Sequence, residues 1–179
     1  MSIVLPSINS GTAYSDEAQK GDVAEIADGI TLVPASGWQL ASGALVGEAR
    51  SPVGSTATTE LVDGGVTFFV QAAPFDGTPS ALLTRINSIN GDLRRARERA
   101  AGTTGRYAVR TLQGAVGVAE DFVGVARQGS VVAFVFRSRV PSLRSQSEGV
   151  EIVAAGPTGE ISRRRDDIVE MIRSIRTAP

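Results

Sequence analysis

The stretch "TATTELVDGGVTFFVQAA", Thr56 to Ala73, decides the fold. Two runs rich in threonine, valine and phenylalanine flank Asp63-Gly64-Gly65, and glycine supplies the positive φ angles that a tight hairpin turn demands. Two antiparallel strands are predicted. Immediately downstream, "GTPSALLTRINSINGDLRRARERAAG" changes period, with Leu82, Ile86, Ile89 and Leu93 recurring at helical spacing. Thr78 and Pro79 stand before them as N-cap and first-turn proline, so a helix is expected near residues 78 to 100 with its apolar stripe on a sheet. Gly91 weakens that helix by about 1 kcal/mol relative to alanine and favours a kink or an early end.

Outward from this core, short strand signals alternate with turns. Upstream, Ile30–Val33 closes on Pro34 and Ser36-Gly37, and a further strand is expected around Ala44 to Arg50. Downstream come "RYAVRTLQ", "AVGVAEDFVGVARQ" and "VVAFVFRSRV", with Gln128-Gly129-Ser130 as the turn between the last two. In the third of these, Val132, Phe134 and Phe136 alternate with Val131, Ala133 and Val135, so both faces are apolar and the strand is expected in the middle of the sheet. "EGVEIVAAG" is one more strand, and the final "GEISRRRDDIVEMIRSIRT" places Ile161, Ile168, Ile172 and Ile175 on one face of a helix near 160 to 176. The fold class that follows is α+β, a largely antiparallel sheet of about six or seven strands flanked by two main helices.

Composition bounds the function. The chain of 179 residues has no cysteine and no histidine, which removes disulfides, thiolate nucleophiles, sulfur-ligated zinc and the commonest general base. Its 18 basic and 19 acidic residues leave a net charge of -1, so no global field draws a nucleic acid. Glu120 and Asp121 are adjacent and point to opposite faces of a strand, which prevents them from acting as a carboxylate pair. "GDLRRARERAAGTTG" follows a helix and lacks the Lys-Ser/Thr pair of a phosphate loop. No catalytic residue, metal ligand or cofactor is assigned.

The beginning of the chain is unlike the rest. "MSIVLP" sets apolar residues before the aperiodic polar stretch "SINSGTAYSDEAQKGD". One reading makes residues 1 to 22 a flexible stalk after an excised membrane helix; the other makes them an ordinary frayed terminus. Residues 23 to 179 are expected to form a single domain.

Two short motifs carry a family resemblance. "ITLVPASGWQL" is similar to the hydrophobic-Pro-x-x-Gly-Trp opening of PsbP-like and Mog-like proteins and of the actinobacterial LpqN-type envelope proteins. "IVEMIRSIR" is similar to their final helix. The resemblance implies an antiparallel sheet flanked by helices and a family of accessory and scaffold proteins rather than enzymes. Among actinobacterial members it implies a membrane-anchored accessory factor in trehalose monomycolate transport, partnered by an RND-type lipid transporter.

Binding candidates are few. The resemblance makes Trp38, the single tryptophan, a fold feature; the competing reading is the wall of a ligand pocket. Arg94, Arg95 and Arg99 share one flank of the expected helix, suited to lipid phosphate or an acidic partner, and equally to a solvated helix end. "RRRDD" alternates in sign and is expected to neutralise itself on an exposed face. Two functions follow. One is a non-catalytic envelope module contacting a membrane protein partner; the other is a lipid or glycolipid binder with a cleft between sheet and helix. An apolar cavity in that cleft distinguishes the second from the first.

Overall fold

A computed structural model of the chain describes residues 16–27, 29–47, 57–89, 105–124, 127–137 and 147–177. Its strands are β1 (Asp16–Glu17), β2 (Ala24–Ala27), β3 (Ile30–Leu32), β4 (Gln39–Ser42), β5 (Ala57–Asp63), β6 (Val66–Pro74), β7 (Tyr107–Arg110), β8 (Val116–Val123), β9 (Gln128–Arg137), β10 (Ser147–Gly156) and β11 (Arg176–Thr177). Its helices are α1 (Pro79–Ile89), α2 (Thr158–Arg163) and α3 (Arg165–Ser174).

The hairpin forms where it is expected. Asp63 pairs with Val66 across Gly64 and Gly65, whose φ angles of 54° and 81° are the conformation that a two-residue turn of this hand requires. From this hairpin the sheet grows both ways, in the order β1-β4-β5-β6-β10-β9-β8-β7, with every neighbouring pair antiparallel. The strand predicted to be central, β9, lies between β10 and β8. Its alternate residues feed two cores: Val132, Phe134 and Phe136 face one, Val131 and Ala133 the other.

Helix α1 covers the second of these faces. The Thr78 hydroxyl accepts the Ala81 amide at 3.2 Å, as an N-cap should, and Leu82, Leu83 and Ile86 pack on Phe122, Val131, Ala133 and Val153. The opposite face is covered by α3, through Ile168, Met171 and Ile172, and by a second sheet in the order β11-β3-β2. The architecture is α+β in three layers.

Several expectations move. Of the strand expected at 44–50, residues 48–50 lie outside the described residues; β4 forms earlier, at Gln39–Ser42, and Gly43 and Gly47, at φ 110° and 102°, turn the chain, leaving Leu45 a single bridge to Ala24. Gln128-Gly129-Ser130 is no turn but the start of β9. Gly129 is needed there because a Cβ would collide with the Ala154 carbonyl on β10. The last helix is broken at Arg164, and Ile161 on α2 is only partly buried. Asp16–Glu17 pairs with β4 and Ala18 is buried, so the end of the stretch assigned to a stalk packs on the sheet. Residues 1–15 lie outside the described residues, as does the expected continuation of α1 beyond Ile89.

Candidate functional site

Trp38 is placed by a turn. Gly37, at φ 90°, donates its amide to Ala18 at 2.9 Å, and Ala18 donates to the Trp38 carbonyl at 2.7 Å. The indole is fully buried, stands edge-on to Phe68 at 6.5 Å between centroids, and donates Nε1–H to the Asp167 carboxylate at 3.2 Å. It therefore offers no face to a ligand, and the pocket-wall reading is corrected: its polar edge is satisfied inside the fold. Sequence reasoning missed Asp167 because the pair joins residues 129 positions apart. Arg94, Arg95 and Arg99 lie outside the described residues. Within "RRRDD", Arg163 pairs with Glu160 at 2.6 Å and Arg164 contacts Asp63 at 2.5 Å, fastening α2 and α3 to the hairpin.

The carboxylates on β8 separate as their adjacency requires. Glu120 faces α1, where it accepts from Asn87 at 3.3 Å and stands 3.6 Å from the Arg106 guanidinium. Arg106 also donates to Ser80 and Thr84, stapling α1 to the sheet. Asp121 faces the other way and accepts from both Ser130 and Tyr107. Burial, then the hydrogen bond to Asp121, pushes the Tyr107 phenol up to about 12, which makes it a donor and not a base. Among the described residues no three acidic side chains converge as a metal site.

The surface that remains is built around the turn joining β7 to β8. Thr111 donates its amide to Ala115 at 3.0 Å, Gly114 donates to Thr111 at 2.9 Å, and the Arg110 guanidinium reaches the Gly114 carbonyl at 3.1 Å. Leu112 donates to the Arg173 carbonyl at 2.8 Å, and the Gln113 amide pairs with both backbone groups of Thr177. The first three links lie within the turn, and the last two tie it to the end of the chain. The Leu112 side chain, held in this frame, is nevertheless 73% exposed. Beside it opens a groove of about 630 Å³ whose walls include Asp22, Thr31, Val46, Gln113 and Arg176, with Val46 also exposed. This turn is hidden in the sequence, because "RYAVRTLQ" reads as one continuous strand.

No known family model and no curated protein matches the chain. A solved structure does: cyanobacterial PsbP from Synechocystis sp. PCC 6803 is 11% identical, with 97% of this chain covering 98% of that one at a TM-score of 0.52. The fold is PsbP-like. At that identity the likeness speaks for architecture alone, and it agrees with what "ITLVPASGWQL" and "IVEMIRSIR" imply about the fold.

Proposed function

We infer that the protein acts by binding rather than by catalysis, as an accessory or scaffold protein of an actinobacterial cell envelope. In this reading it assists mycolate-type lipid transport by contacting an RND-type membrane transporter, and a membrane helix upstream of Ser2 anchors it. The observation that carries the binding role is Leu112: an apolar side chain 73% exposed on a turn tied by the amides of Thr111, Leu112 and Gly114 and by the Gln113 side chain. A frayed loop exposes leucine by accident, whereas a rigid one presents it already ordered, which lowers the entropy cost of association. The envelope setting rests on the resemblance of the two quoted motifs. No helix among the described residues is long and apolar enough to cross a membrane.

The lipid-cleft reading has less support. The interfaces of α1 and α3 with the sheet are filled by buried side chains, and the groove lies at the end of the second sheet. Capture of partners from envelope membranes by the full chain tests the binding role. Leu112→Ser is expected to lose the specific partner while keeping the fold, and an unchanged partner set overturns the role assigned to this turn. Replacing Arg94, Arg95 and Arg99 with Glu in the same assay tests the arginine flank separately.

A further inference from the structure

The eight-stranded sheet ends at β7, and its open side has unequal halves. Because Thr111 bonds to Ala115 on the β8 side, the two-residue period turns the peptide groups of Tyr107 and Val109 toward β8 and those of Ala108 and Arg110 outward. Leu112, the next outward amide, is already taken by the Arg173 carbonyl, and the Gln113 side chain occupies Thr177 beyond it. The chain thus closes the β7 edge itself at Leu112, and Gln113 caps the neighbouring β11 of the second sheet. It leaves the Ala108 and Arg110 peptide groups without a partner among the described residues.

Helix α3 runs alongside this edge. Arg165 is near enough to Tyr107 for its charge to act on the phenol, while Arg173 meets Leu112 at the other end. Arg165, Val169 and Arg173 follow one another at i, i+4 and i+8, so they form a stripe on that flank, and all three are exposed. Asp166 and Glu170 lie further round the helix, on its outward side. None of the ion pairs among the described residues involves Arg165 or Arg173. Among the described residues the edge therefore offers unpaired backbone groups, the apolar surfaces of Tyr107, Leu112 and Val169, and a cationic wall.

We propose that the open edge of β7 and the Arg165–Val169–Arg173 stripe dock an extended acidic segment of a partner protein, which adds as a strand to the sheet. The proposal rests on the binding role inferred above and names the surface and partner chemistry. Main-chain hydrogen bonds to Ala108 and Arg110 supply the register, and carboxylates on the added strand meet the arginines of α3. A second copy of this chain is a poor occupant. Antiparallel pairing of β7 with itself gathers Arg110 from both copies on one face, where like charges repel, while Arg106 is held by Glu120.

A short peptide of alternating glutamate and valine, titrated into the isotope-labelled full chain, tests this. Binding is expected to shift and protect the Ala108 and Arg110 amides from exchange. A peptide N-methylated at alternate residues is expected not to bind, which tests the backbone bonds without altering the protein. Ala108→Pro removes an outward amide that β8 does not use, so the variant is expected to fold and to lose the peptide. Arg165→Glu with Arg173→Glu is expected to weaken binding by about tenfold or more. Failure to bind, or binding indifferent to N-methylation, overturns the proposal. So does flotation with phosphatidylglycerol vesicles that depends on the two arginines and ignores Ala108→Pro, since that assigns the stripe to a membrane. If the peptide fails while Leu112→Ser still loses membrane partners, the binding role stands and only the strand-addition surface falls.

Discussion

The Trp38 indole and the Asp167 carboxylate are joined by a 3.2 Å hydrogen bond between the turn before β4 and the first turn of α3. The bond ties two distant parts of the chain across one core, with Phe68 against the ring. Asp167→Ala leaves a buried indole N–H without an acceptor, which costs about 1–3 kcal/mol. Urea unfolding followed by far-UV circular dichroism, a signal that does not depend on the tryptophan, is expected to show the midpoint falling with an unchanged slope. Trp38→Phe removes the donor together with the need for it, and its cost is expected to come from lost packing; the Asp167→Ala effect should shrink in that background.

Glu151 gives the domain a pH dependence with a definite sign. It is 7% exposed on the α1 face of β10, one carboxylate oxygen has no hydrogen-bond partner, and burial pushes its pKa up from 4.5 to about 7. The folded pKa exceeds the unfolded one, so the carboxyl costs nothing below about pH 4.5 and stability is lost as pH rises through 7. Glu60, facing the same side of the sheet from β5, is raised by burial as well and acts in the same direction. With no histidine in the chain, this window is not crowded by imidazole titration. Glu151→Gln is expected to stabilise the protein at pH 8 by on the order of 2 kcal/mol and to change little at pH 4.5. Thermal melts at the two pH values check it; equal effects at both would exclude titration of this group.

Gly129 tests the close approach of β9 to β10. The Cβ of Gly129→Ala meets the Ala154 carbonyl and the Phe122 ring, and neither backbone can retreat without disturbing a central pair of strands. A loss of about 1–3 kcal/mol is expected, read as a lowered urea midpoint. Gly105 has nothing near its Cβ position, and its alanine variant is the control expected to be neutral.

What the sequence conveyed divides along the range of its interactions. The hairpin, the Thr78 cap and the doubly apolar β9 are local patterns, and each appears in the fold where its own residues put it. Of the second sheet only β3 is legible, as the run Ile30–Val33, and the pairing of that sheet is not. Its strands have two to four residues, too few to establish a period, and its pairing of Ile30 with Thr177 joins opposite ends of the chain. Gly129 reads as a turn because glycine marks both turns and close backbone approaches, and only the neighbouring strand decides which. The exposed Leu112 was hidden for a related reason: its surroundings come from Arg173 and Thr177, more than sixty positions away in each case.

Gln113 closes the β11 edge of the second sheet with a side chain acting in place of a strand. Its Nε2 donates to the Thr177 carbonyl at 3.3 Å and its Oε1 accepts the Thr177 amide at 3.0 Å, the two bonds a paired residue would make. Gln113→Ala breaks both on an exposed surface, and about 1 kcal/mol is expected to be lost together with faster exchange of the Thr177 amide. Gln113→Glu separates the two bonds. The carboxylate still accepts from the amide, but it has no proton for the carbonyl and sets negative charge against it. At neutral pH this variant is expected to be less stable than the wild type. Below about pH 4 the protonated acid regains a donor, so the difference should narrow. Amide exchange at Thr177, followed from pH 7 to pH 4, reads the effect at its source; protection that does not recover in acid would show that Gln113 fills space there without closing the edge.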